Sequence, residues 1–197
     1  FSDATTQALR PDVDTVVFGA FWELYLLGEF SMQGHHQGVY SAGDPLRRPL
    51  RLDSHGTQVA FAQFERLLDR LVAHGRRVFI VLSNPTSPQF EPSALVSPTV
   101  RLSLRYPRTG FAAGARQVDA AAFESYVAPL LQRFAQIAAR TGAHLLDPRS
   151  TLCAGMLCPA VGTDGTPLYL DSNHVRASYA RERASFLDAT VLEPETQ

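Results

Sequence analysis

The sequence contains no lysine: all 18 of its basic residues are arginine, and this carries no functional reading of its own. Neither charge sign is in excess, with 18 basic against 19 acidic residues. No basic stripe alternates with aromatics, so nucleic acid is not an expected partner. No apolar run is long enough to span a bilayer, and no signal peptide opens the chain. Phe1 is not an initiator Met, so the chain reads as a processed product or an excised piece. The missing targeting segment therefore says little about the full-length protein. Cysteine is scarce, with only Cys153 and Cys158. Two thiolates make half a zinc site and no Cys or His pair accompanies them, so no metal and no cofactor is expected. The residues between them include Gly155 and can fold back far enough for a bridge. A disulfide there implies an oxidising compartment; two reduced structural thiols are the alternative.

What is present describes an ordinary globular chain, 45% hydrophobic and 19% charged. Its 197 residues suffice for one domain with a sizeable core. There is no internal repeat and no low-complexity tract. Asp14 to Trp22 reads as a buried strand, short, apolar, β-branched and aromatic. The stretch before it, Thr5 to Arg10, reads as the end of a helix. Gly28 to Asp53 is rich in Gly, His and Pro without periodicity and reads as a long loop. From Ser54 to His74, Val59, Phe61, Phe64, Leu67, Leu68 and Leu71 recur as on an amphipathic helix. Val78 to Leu82 is a second buried strand, followed by an irregular segment from Ser83 to about Gln117.

Val118 to Thr141 carries a second helical stripe of Phe123, Val127, Leu130, Leu131, Phe134 and Ile137. Ala143 to Asp147 is a third strand, and Arg176 to Ala189 reads as a closing helix. Strands alternating with helices predict an α/β fold with a parallel sheet. In such sheets the working residues gather at the carboxyl ends of the strands. Trp22, Asn84, Asp147 and His174 all follow apolar runs and are expected on one rim.

One segment carries chemistry. In Leu170-Asp171-Ser172-Asn173-His174-Val175 an Asp stands three residues ahead of a His, after the apolar run Pro167 to Leu170. That Asp can bond one ring nitrogen, fix the tautomer and stabilise the imidazolium, leaving the other nitrogen to take a proton from a serine. Alone, such a pair is also what a surface ion pair or a helix cap looks like.

Leu145-Leu-Asp-Pro148, Cys153, Cys158, Gly165-Thr-Pro-Leu-Tyr169 and Asp171-Ser-Asn-His174 together resemble the end of an SGNH-type esterase domain. The likeness is to the extracytoplasmic SGNH domain fused behind the bacterial membrane acyltransferase family three. It extends upstream to the strand ending in Trp22 and to Arg77–Pro85, and is most specific over the last thirty or so residues before Arg176. The resemblance implies a flavodoxin-like three-layer α/β/α sandwich with a parallel sheet, lacking its first strand. It implies a single SGNH-like domain over residues 1–197, truncated at its N-terminus. Asp171 would be the orienting acid and His174 the general base. Short acyl groups, most often acetyl, would be moved on or off cell-envelope or secreted glycans. The implied partners are such a glycan and an integral-membrane acyltransferase domain in the same full-length chain. The implied setting is periplasmic or extracytoplasmic, tethered to the inner membrane.

The chain departs from the family pattern in three places. Val175 and Arg176 follow the His where the family usually has Leu and Ser. The usual Gly-x-Asn that helps hold the oxyanion is absent; Gly19-Ala20-Phe21-Trp22 stands there, and Gly19 and Trp22 are the cleft candidates. The Gly-Asp-Ser nucleophile block is missing, since only about fourteen residues precede the first recognisable strand. Ser54, in Leu52-Asp-Ser-His-Gly56, follows a loop and opens an amphipathic helix, so it is expected to be an N-cap rather than the nucleophile. His35 and His36 read as loop residues; His55, His74 and His144 as helix-start, helix-end and strand residues. Asn84 either faces the cleft or serves the turn before Pro85. Two readings follow: an acyl-transferring enzyme whose serine lies outside this chain, and a non-catalytic glycan-binding descendant of the same fold.

Overall fold

Three of the apolar runs become the strands of one parallel sheet. The computed structural model describes residues 2–27, 51–95 and 117–192. The elements in chain order are α1 (Ser2–Ala8), β1 (Thr15–Gly19), α2 (Trp22–Leu26), α3 (His55–Ala73) and β2 (Arg77–Val81). There follow a 3-10 turn at Pro88–Phe90, α4 (Pro92–Leu95), β3 (Gln117–Asp119), α5 (Ala121–Thr141) and β4 (His144–Leu146). Then come α6 (Arg149–Leu152), β5 (Leu157–Pro159), α7 (Ala177–Arg183) and a closing 3-10 segment, Ala184–Thr190. The chain divides into two compact units.

The first unit comprises Phe1–Ser83, Val127–Asp147 and Leu187–Gln197. Its sheet has the order β1-β2-β4, all parallel, with Val16 opposite Val78 and Ile80 opposite Leu145. Val78, Phe79 and Ile80 are buried in succession, so β2 is covered on both faces, as expected for a parallel sheet flanked by helices. The covering layer is aromatic. Phe134 of α5 meets Phe61 and Phe64 of α3 and the Trp22 ring edge-on or tilted, at centroid distances of 5.9, 6.4 and 5.0 Å. Phe61, Leu68 and Leu71 bury the inner stripe of α3, with Phe64 and Leu67 packed against the core. Val59 is 40% exposed. It stands two residues from Phe61, about 200° around the helix, and so falls off the stripe to which the periodicity assigns it.

The first strand is shorter than expected. It ends at Gly19, and Trp22 opens α2. Before it, α1 occupies Ser2–Ala8.

The second unit comprises Asn84–Tyr126 and Pro148–Phe186. Among its described residues the strands and most helices are short. Val118 is not a helical residue: Gln117–Asp119 pairs antiparallel with Leu157–Pro159, and α5 begins only at Ala121. Asp119 marks that start, its Oδ1 accepting the N–H of Ala121 at 2.8 Å. The core consists of Phe90, Leu95, Val118, Ala120, Cys158, Ala160, Val161 and Tyr169. Tyr169 is fully buried and stacked on Phe90 at 4.0 Å. Cys153 and Cys158 are joined as a disulfide, with their Cα atoms 4.1 Å apart. The apolar run Pro167–Leu170 is not a sheet strand. It is held by isolated bridges, Val161 to Pro167 and Tyr169 to Val175. The helix expected over Arg176–Ala189 is α-helical only to Arg183, and its last turns tighten to 3-10 geometry.

Candidate active site

The turn carrying Asp171 and His174 is built by short-range hydrogen bonding on a buried anchor. Leu168 accepts the N–H of Arg176 through its carbonyl and donates its own N–H to Ala160, both at 2.9 Å. The Leu170 N–H donates to the His174 carbonyl at 2.7 Å, and the Tyr169–Val175 bridge lies between that bond and the Leu168–Arg176 bond. Buried Tyr169 therefore nails the base of the turn to the second unit's core.

Within the turn the Asp171 carboxylate is used fully. Its Oδ1 accepts the backbone N–H of Asn173 at 2.9 Å and of His174 at 2.8 Å. Its Oδ2 lies 2.7 Å from His174 Nδ1. Partial burial pushes the Asp171 carboxyl up, but those two backbone donors and the imidazole together hold it below the usual carboxylate range. An ionised Asp171 can only accept, so the proton sits on Nδ1 and the Nε2 lone pair points away from the pair. The His174 side chain is 72% exposed, leaving Nε2 open to an incoming group. A pair so exposed adds little to stability. Its value is the fixed tautomer.

The other candidates fall in the first unit. Gly19 ends β1 on the surface, and a Cβ there would meet Val81 Cβ at 3.9 Å, an ordinary contact. The indole N–H of Trp22 is the only donor that side chain has, and it is given to the Val81 carbonyl at 2.7 Å. Trp22 thus ties the ends of β1 and β2 together, and its ring packs on Phe64 and Phe134. Ser54 is the N-cap of α3: its Oγ accepts the Thr57 N–H at 3.3 Å and lies 3.0 Å from Thr57 Oγ1. His55 is the first residue of α3, and His74 at its end has Nδ1 2.7 Å from the Arg70 carbonyl. His144 lies in β4 against the Phe79 ring at 5.3 Å. His35 and His36 lie outside the described residues. Among the described residues no group of three His, Cys, Asp or Glu is placed to hold a metal ion.

Two features escaped the sequence reading. Glu23, in the apolar helix α2, is fully buried at the carboxyl ends of β1 and β2. The Ser83 hydroxyl donates to its Oε2, while Oε1 has no partner among the described residues. Burial raises the Glu23 carboxyl above the usual range, against the opposing effect of the Ser83 bond. A lone charge in the otherwise apolar Trp22-Glu-Leu-Tyr-Leu26 was the only signal for it. The second is the segment Asn84–Ser87, which grips the Asp171–His174 turn from outside. Asn84 Nδ2 donates to the Asn173 carbonyl at 3.3 Å, and the Ser87 N–H donates to the Ser172 carbonyl at 3.0 Å. Nothing in the local pattern of Ser83-Asn-Pro-Thr-Ser87 announces a partner so distant in sequence.

Comparison with known families assigns the chain. The family model for the SGNH domain (fused to AT3 domains) matches residues 1–188, and the chain belongs to that family. It thereby falls within the esterase- and acyltransferase-like hydrolases. No curated protein and no solved structure matches it. Among the described residues no helix is long and apolar enough to cross a membrane.

Proposed function

From this membership of the SGNH domains fused to AT3 domains, we propose that the chain supplies the acid and base of a Ser-His-Asp triad whose serine lies outside it. The reaction is transfer or hydrolysis of short acyl esters, chiefly acetyl, on cell-envelope or secreted glycans. The observation that carries this reading is the 2.7 Å approach of Asp171 Oδ2 to His174 Nδ1, with His174 mostly exposed. The serine oxygen attacks the acyl carbon as His174 Nε2 takes its proton. His174 returns that proton to the departing alcohol as the carbon–oxygen ester bond breaks, leaving an acyl-serine. Water or a sugar hydroxyl then gives its proton to Nε2 and takes the acyl group, and His174 returns that proton to the departing serine oxygen. Asp171 stays ionised throughout and stabilises the imidazolium.

The setting follows the same reading. The domain works outside the cytoplasm, attached to an integral-membrane acyltransferase part, and the Cys153–Cys158 bond supports an oxidising compartment.

The test is turnover of an acetylated saccharide by the full-length protein. His174→Ala and Asp171→Asn are expected to lower kcat roughly a thousandfold to ten-thousandfold, because each removes the base or its tautomer. Saccharide binding that survives His174→Ala, in a protein with no turnover to lose, would instead establish a glycan-binding domain with a relic pair.

A further inference from the structure

His174 stands exposed at the end of its turn, yet the backbone beneath it, with Ser172 buried, is bonded from two sides. Asp171 draws the N–H groups of Asn173 and His174 to one side. The carbonyls of Ser172 and Asn173 are then left for another partner, and segment Asn84–Ser87 provides it. The Ser87 N–H takes the Ser172 carbonyl at 3.0 Å, and Asn84 Nδ2 takes the Asn173 carbonyl at 3.3 Å. Asn173 directly precedes His174, so the Asn84 bond acts on the peptide that sets the imidazole's approach to Asp171.

The segment is itself well placed to act as a clamp. Pro85 disfavours helical backbone at Asn84 and so keeps that residue extended. Thr86 and Ser87 are buried, and Thr86 Oγ1 donates to the Asn84 carbonyl at 3.4 Å. The Ser87 side chain starts the 3-10 turn by accepting the Gln89 N–H at 3.2 Å. Phe90 of that turn stacks on Tyr169, the anchor of the other segment, at 4.0 Å. The two segments therefore share one buried aromatic stack and are cross-bonded above it.

We propose that Asn84 is a positioning residue for His174: by holding the Asn173 carbonyl it keeps the imidazole in the geometry that places the proton on Nδ1 and the free lone pair on Nε2. The importance of this position rests on the reading of Asp171 and His174 as acid and base; the positioning itself does not. Without the clamp the Asn173–His174 peptide can rotate. Asp171 Oδ1 then loses part of its two-donor grip, and the imidazole gains the other tautomer.

The experiment is side-chain NMR on the isotope-labelled full chain: imidazole nitrogen shifts of neutral His174, and the carboxyl carbon titration of Asp171. In the native chain the Nδ1–H tautomer should dominate. Asn84→Ala should shift the tautomer ratio toward Nε2–H roughly threefold to tenfold, the effect of about one net hydrogen bond. The Asp171 titration should rise toward the ordinary carboxylate range. Asn84→Gln, which keeps an amide donor, should recover part of both effects. Asn84→Ser, smaller and too short to reach, should behave like Ala and serves if the Ala variant does not fold. An unchanged tautomer ratio and Asp171 titration in either folded variant lacking the amide overturns the proposal. Failure of the catalytic reading looks different: His174→Ala would leave turnover intact while the Asn84 signatures remained.

Discussion

The two compact units are ordered by different means. In the first, a parallel sheet lies under an aromatic layer in which Phe61, Phe64, Phe134 and Trp22 meet one another. Its stability comes from apolar area removed from water and from dense contact. In the second, the sheet among the described residues is one pair of three-residue strands, and a small apolar core around Phe90 and Tyr169 is supplemented by a disulfide, isolated bridges and polar groups bonded across loops. The unit with the shorter strands among the described residues carries the Asp–His pair. An apolar core cannot hold a side chain that must stay open to a reactant. A turn braced by bonds to several of its amides and carbonyls can present that side chain to solvent while fixing its orientation.

The sharpest way to break this contrast is to remove an aromatic from the first unit. Phe134 is 1% exposed and touches Phe61, Phe64 and Trp22. Phe134→Ala is expected to cost about 3–5 kcal/mol, read from denaturant unfolding of the oxidised protein. A loss below about 1 kcal/mol would mean that this unit does not depend on its aromatic layer.

The corresponding cut in the second unit is the disulfide. It closes a short loop, so Cys158→Ser is expected to cost about 2 kcal/mol by lost constraint on the unfolded chain. The native protein should lose a similar amount on reduction, and the variant should be indifferent to reductant. The imidazole resonances of His174 are the local readout, because Cys158 shares a core with Tyr169, the anchor of the turn. Native and reduced proteins with identical melting curves would show that this unit does not depend on its disulfide.

The smallest effect sharpens the comparison from the other side, since the first unit also buries a carboxyl group, that of Glu23. Burial raises the Glu23 carboxyl above its usual value. Below the unfolded value, near 4.5, both states are protonated and the group imposes no penalty. As pH rises from there through the higher folded value, the unfolded chain releases its proton first and stability falls. Glu23→Gln has no proton to lose, so its stability should not fall over that range. Near neutral pH it should exceed the native protein by about 1 kcal/mol, the scale of one buried polar group relieved of charge. Parallel stability curves for the two proteins would show that Glu23 is not held protonated.

Legibility in the sequence follows the same division. The strands and long helices of the first unit could be read because burial acts on residues close in sequence, with periods that survive averaging. The errors there were at edges: Val59, off its stripe, and Trp22, which opens a helix instead of ending a strand. In the second unit β3 was hidden, because Gln117–Asp119 is too short to show alternation and pairs with Leu157–Pro159, far along the chain. The site was legible only in its local part. Asp171 and His174 are three residues apart, so their meeting follows from turn geometry available to the short segment itself.

By itself the sequence determined that the chain is α/β, that an Asp and a His stand within reach, and that two cysteines can close a small loop. Each of these is a matter of short-range spacing or periodicity. Only the tertiary structure decided what surrounds them: that Trp22 spends its N–H on Val81, that Glu23 is buried against Ser83, and that Asn84 holds the peptide before His174. These partners lie 59, 60 and 89 residues apart in the chain. A hydrogen bond between groups so distant is set by how sheets and loops pack, and no local pattern of residue types records it.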